Sequence, residues 1–231
     1  MPVFTITGDV DPFLHVSLAK GEKIYCESNA MVMMETNLEL KGKMTGGIGA
    51  ALMRTFANGE SFFQQHIEAM RGDGDCLLSP TLPGAMRVLE IGAQQYMISD
   101  GAFVAASAGV ELKVRTQSLG NALFAQSGGF FITETAGSGQ LAVSGFGAMS
   151  ILEVTPGKDV VIDNSHVVCW DNRLQYEISM TTGSSGGFLG NLINSQTSGE
   201  GVVLKFSGTG KILVCSRNRA AFLAWTQSKP A

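Results

Sequence analysis

The side chains best suited to acid–base or metal chemistry are three histidines, His15, His66 and His166, and they stand far apart in the 231-residue chain. A metal site of the cupin kind sets His-x-His on one strand, where alternate residues share a face, and adds a Glu and a later His. That spacing is absent here, so no metal ligands are assigned. His15, in Leu14-His15-Val16-Ser17-Leu18, is expected to face solvent opposite the apolar positions. Gly183-Ser184-Ser185-Gly186-Gly187 matches the GxSxG string of a nucleophile elbow. That elbow needs a His later in the chain, and none follows Ser185. Gly72-Asp73-Gly74-Asp75 and Asp9-Val10-Asp11-Pro12 read as turns. Starting a calcium loop at Asp73 would put Gly84 where a Glu is required. Gly145-Phe146-Gly147 lacks the third Gly of a dinucleotide loop, and Lys205 replaces the first Gly of a phosphate loop ending in Gly210-Lys211. No catalytic residue, cofactor site or metal site is assigned.

Composition narrows the classes further. The formal net charge is −4 and there is no run of Lys and Arg, which argues against nucleic-acid partners. Cys26, Cys76, Cys169 and Cys215 are scattered through apolar segments and are expected to be buried free thiols in a reducing compartment, with a disulfide between distant strands as the alternative. The opening Met1-Pro2-Val3-Phe4-Thr5-Ile6 has neither a basic start nor a long apolar run. A cytoplasmic location is the default expectation.

The elements that would position any site are short strands. Only 16 % of residues are charged and 29 are Gly, a composition that suits strands joined by tight turns. A pattern recurs. Leu119-Gly120-Asn121 through Gly129 aligns without a gap on Leu189-Gly190-Asn191 through Gly199, and Ile48 through Gly59 fits with about one residue of slack. Alternating apolar residues precede each segment: Leu38 and Leu40; Val110, Leu112 and Val114; Leu174, Tyr176 and Ile178. Another strand closes each unit, at Cys76-Leu77-Leu78, Leu141-Ala142-Val143 and Ile212-Leu213-Val214. Gly21 through Cys26 lines up with Gly157 through Ile162, and Asn29 through Met33 with Ser165 through Cys169. The expectation is one all-β domain over residues 1–231. It is a double-stranded β-helix or sandwich made of pseudo-repeats about 12–90, 91–153 and 154–217, with a short tail, 218–231. Met31-Val32-Met33-Met34 is expected to be a strand packed on both faces, with a soft-metal or partner patch as the alternative.

Gly21-Glu22, Asn29-Ala30-Met31 with Met34, Gly46-Gly47, Arg54 and Gly59-Glu60, and the closing Gly208-Thr209-Gly210-Lys211-Ile212 with Arg217, resemble the altered-inheritance-of-mitochondria protein twenty-four family. The resemblance covers nearly the whole chain. It implies a fold like the tryptophan RNA-binding attenuation protein, with internal pseudo-threefold repetition and no established enzyme activity. RNA binding is not carried over with the fold.

The Gly-bounded segments carry apolar side chains that water penalises unless they are covered. Ile48, Leu52 and Phe56, then Leu119, Leu123 and Phe124, then Phe188, Leu189 and Leu192, are the candidate contact residues. They would fold back over the β body, meet identical subunits, or touch a protein or membrane-surface partner. The function expected is non-catalytic binding or assembly as a homo-oligomer, preferably a trimer, without cofactor. The alternatives are an enzyme with a site built from distant strands and a membrane-surface organiser.

Overall fold

The computed structural model describes residues 1–42, 65–116, 131–180 and 202–228. These residues are all-β apart from one 3₁₀ turn, Asn164–His166, and one helix, α1 (Arg219–Ser228). In chain order the strands are β1 (Val3–Thr7), β2 (Phe13–Leu18), β3 (Lys23–Cys26), β4 (Met31–Met34), β5 (Leu38–Gly42), β6 (Gln65–Ala69) and β7 (Gly74–Leu78). Next come β8 (Met86–Ile91), β9 (Tyr96–Ser99), β10 (Phe103–Ser107), β11 (Val110–Thr116), β12 (Phe131–Gly137), β13 (Gly139–Ser144) and β14 (Met149–Val154). The last are β15 (Val160–Asp163), β16 (Val167–Asp171), β17 (Gln175–Met180), β18 (Val202–Ser207) and β19 (Gly210–Cys215).

Side-chain alternation explains most of these strands. In β2, Leu14, Val16 and Leu18 are buried while Phe13 is exposed and His15 and Ser17 are half-buried, the pattern of a strand with one face on a core. β10 and β16 differ. Phe103-Val104-Ala105-Ala106-Ser107 and Val167-Val168-Cys169-Trp170-Asp171 are buried at every residue, so each lies between two packed layers.

The strands form four antiparallel sheets. Their orders are β1-β2-β7-β4, then β5-β6-β3-β10-β13-β8, then β11-β12-β9-β16-β19-β14, then β17-β18-β15. The sheets stack in that sequence with a core between each neighbouring pair. Leu14, Val16 and Leu78 of the first sheet meet Ile24, Ile67 and Val104 of the second. Phe103, Leu141 and Val143 of the second meet Ile98, Cys169 and Leu213 of the third. Trp170 and Ile212 of the third meet Leu204 and Phe206 of the fourth, with Trp170 edge-on to Phe206 at 5.4 Å.

Three of the pairings carry the same irregularity. The register slips between Met31 and Met33 where β4 meets β7, between Phe103 and Ala105 where β10 meets β13, and between Val167 and Cys169 where β16 meets β19. An extra residue there bends the strand and raises its twist. Gly84 marks another close approach. It bridges to Gly147 at φ +151°, and a Cβ on it would lie 2.1 Å from the Gly145 carbonyl oxygen, so only glycine fits. Helix α1 begins at a side-chain cap, with the Ala221 N–H donating to Asn218 Oδ1 at 3.0 Å. Phe222 of α1 sets its ring edge-on to Phe146 at 5.2 Å.

Candidate functional site

The nine apolar residues nominated from sequence lie outside the described residues. Ile48, Leu52 and Phe56 fall in 43–64, Leu119, Leu123 and Phe124 in 117–130, and Phe188, Leu189 and Leu192 in 181–201. The GxSxG string around Ser185 falls there too. The topology does show what those stretches join: each links two neighbouring antiparallel strands, β5 to β6, β11 to β12, and β17 to β18.

The histidines are distributed over three places. His15 Nε2 lies 3.2 Å from Asp75 Oδ1 on the outer face of the first sheet. His66 stands edge-on to Tyr25, and burial followed by the nearby Lys23 charge lowers its pKa. His166 Nδ1 lies 2.8 Å from the Cys215 carbonyl oxygen. No cluster of three metal-ligating side chains occurs among the described residues. All four cysteines are buried free thiols. Burial pushes Cys26, Cys76 and Cys169 each up to about 12, which keeps them protonated and unreactive.

A groove of about 710 Å³ brings Tyr96, Glu153, Asp171, Arg173 and Lys211 together from four segments of the chain. Its most buried charge is Asp171. Burial alone would raise that carboxyl, but hydrogen bonds from Arg173 outweigh it and hold the group below the ordinary carboxylate range. Arg173 donates from Nε to Oδ1 at 3.0 Å and from Nη2 to Oδ2 at 2.6 Å. The same Nη2 donates to Gln94 Oε1 at 2.7 Å. Lys211 lies 3.6 Å from Glu153. The groove can therefore orient a polar group, yet its buried carboxylate, Asp171, is engaged by a guanidinium and is a poor general base.

The sheet ends offer a different surface. β4 and β15 each pair on one side only among the described residues. The sequence led us to expect Met31-Val32-Met33-Met34 to be packed on both faces; instead β4 is an edge strand with no fully buried residue. Val32 is 53 % exposed and Met33 41 %, whereas Val104, Ala105 and Cys169 at the corresponding places after the other two register slips are 0 % exposed and Val168 is 2 %. Val3, Ile6 and Phe13 of the same sheet are also exposed. The reason for the correction is positional: two-sided burial needs a neighbouring layer on each side, and among the described residues the first sheet has one on a single side. The expectation rested on composition, which gives no count of layers. Near this end Glu27 sits half-buried. Burial, then the Asp100 charge, raises it to about 7 despite the opposing Arg219.

Comparison with known proteins gives consistent matches along nearly the whole chain. The family model described as Mitochondrial biogenesis AIM24 matches residues 4–217. An uncharacterised protein of Streptococcus pyogenes serotype M6 is 36 % identical over 228 residues, covering 95 % of this chain and 87 % of its own length. A crystal structure of a Streptococcus pyogenes protein, solved as a structural genomics target, superposes with a TM-score of 0.80 at 32 % identity. That match covers 98 % of this chain and 99 % of the other.

Proposed function

The chain belongs to the Mitochondrial biogenesis AIM24 family, and from that premise we propose that it is a non-catalytic binding and assembly protein that acts as a homo-oligomer in the cytoplasm. We further read residues 1–231 as one domain of three pseudo-repeats with the double-stranded β-helix plan of the attenuation protein. The recurrence of one pairing scheme, hairpins β6 with β5, β12 with β11 and β18 with β17, supports this.

One observation carries the assembly reading: an apolar sheet face and edge, centred on Val32 and Met33, stands in water. Exposing such a patch costs about 25 cal/mol per Å² of apolar area, and monomeric proteins seldom carry one without a use for it. The four buried thiols and the engagement of Asp171 by Arg173 support the non-catalytic part. The free thiols suit a reducing compartment, and no helix among the described residues is long and apolar enough to cross a membrane.

The test is a double variant, Val32→Ser with Met33→Ser, measured by light scattering after size exclusion and by thermal melting. Loss of assembled mass with the melting temperature within a few degrees of wild type is expected. Unchanged mass in the variant would contradict this reading.

A further inference from the structure

We propose that β15 of one copy pairs antiparallel with β4 of a second copy, so that the two end sheets join into one continuous sheet, β17-β18-β15-β4-β7-β2-β1. This rests on the assembly reading above and names the contact that performs it.

The chain contains the template twice. In the second sheet the trio β5-β6-β3 is joined to β10-β13-β8 by pairing of β3 with β10. In the third, β11-β12-β9 is joined to β16-β19-β14 by pairing of β9 with β16. The fourth sheet, β17-β18-β15, is a trio with nothing joined to it among the described residues. The first, β1-β2-β7-β4, is the complementary half with no trio. They cannot complete each other within one chain, because two full sheets and three cores separate them. At about 10 Å per sheet spacing that is roughly 30 Å.

Burial says the same. The two residues after each register slip point into the core that precedes their sheet: Val104 and Ala105 into the first core, Val168 and Cys169 into the second. By that rule Val32 and Met33 belong to a core preceding the first sheet, and the described residues form no such core. The third core, around Trp170, Leu204 and Phe206, has no counterpart of those two residues. Docking β4 of a second copy beside β15 supplies them. Both edges suit this. Met31 through Met34 carry no charge and no proline, and β15 carries its one charge at its last residue, Asp163, so most of both edges is open to strand addition. The strand end is closed alike too. Glu35 Oε2 accepts from the Asp75 N–H at 3.1 Å after β4, as Ser107 Oγ accepts from the Gln140 N–H at 2.8 Å at the end of β10.

The templates also set the register. Ala105 faces Cys26 and Ala106 faces Tyr25; Cys169 faces Ile98 and Trp170 faces Met97. The step from Cys26 to Met31 is five residues, as are those from Ile98 to Phe103 and from Ile162 to Val167. Met33 of the second copy therefore faces Ile162, and its Met34 faces Val161. The Glu27 N–H donates to the Val104 carbonyl at 2.9 Å. That makes the adjacent Cys26–Ala105 position a non-hydrogen-bonded pair, and its equivalent, Ile162 with Met33, has a Cα separation within the range a disulfide spans. The contact uses a different surface on each copy, so it propagates head to tail and closes a ring if the rotation permits.

The experiment mixes two full-length single variants, Ile162→Cys and Met33→Cys, under mild oxidation. Denaturing gels and mass spectrometry then identify the linked peptides. A dimer joined through the two introduced thiols, formed at least tenfold more in the mixture than in either variant alone, is expected. Val161→Cys mixed with Met33→Cys serves as the off-register control and should link far less. If wild type is assembled but cross-links form only off register or not at all, the β15–β4 contact is wrong while assembly stands. If wild type is a monomer of 24.4 kDa, both fail.

Discussion

Glu27 gives the assignment of charge a sharp test. Its folded pKa is about 7 against an ordinary value of 4.5, so the folded chain holds this proton where the unfolded chain has released it. Stability tied to Glu27 is therefore greatest at low pH and declines as pH rises from about 4.5 to 7. Glu27→Gln should remove that decline, and the difference between wild-type and variant melting temperatures should widen across the window. Parallel melting curves from about pH 4.5 to 8 would contradict the burial of Glu27 that, together with the Asp100 charge, raises it. No sequence pattern disclosed this, because Asp100 and Arg219 lie far from Glu27 in the chain and only the fold brings their charges near it. The same holds for the groove, where Gln94, Glu153 and Asp171 converge from distant segments of the chain. By contrast, the burial of all four thiols was legible, since runs such as Val167-Val168-Cys169-Trp170 carry nothing that solvent would hold.

At the level of elements, alternation decided what could be read. Leu38 with Leu40, Val110 with Leu112, and Tyr176 with Ile178 were read as strand faces and lie in β5, β11 and β17. The strand β4 was legible as a strand but not as an edge, because Met-Val-Met-Met is equally apolar in either setting and only the number of layers decides. β8 and β14 are not legible in the sequence, since each follows a Gly- or Pro-rich turn and pairs with a strand far along the chain. Helix α1 spans the apolar run Ala220 through Trp225, and its cap explains why it begins where it does. Asn218→Ala removes the bond to the Ala221 N–H and should cost about 1 kcal/mol of local helix stability. Hydrogen exchange should then quicken in α1 alone. Equal protection in variant and wild type would show that packing of Phe222 on Phe146, not the cap, holds the helix.

At the scale of the whole molecule, the described residues form a stack of four sheets with unlike ends. Two six-stranded sheets sit in the middle, a four-stranded sheet closes one end and a three-stranded sheet the other. A chain built this way has a donor edge and an acceptor edge, and no internal contact among the described residues satisfies both. The sequence carried half of this conclusion, because the spacing from Cys26 to Met31 equals that from Ile162 to Val167. It could not carry the other half, since openness at two ends is a property of the closed count of pairings. The most direct measurement is the mass of the untagged wild-type particle by native mass spectrometry over a hundredfold dilution. A defined multiple of 24.4 kDa that persists on dilution is predicted, and a single 24.4 kDa species at every concentration would contradict the account.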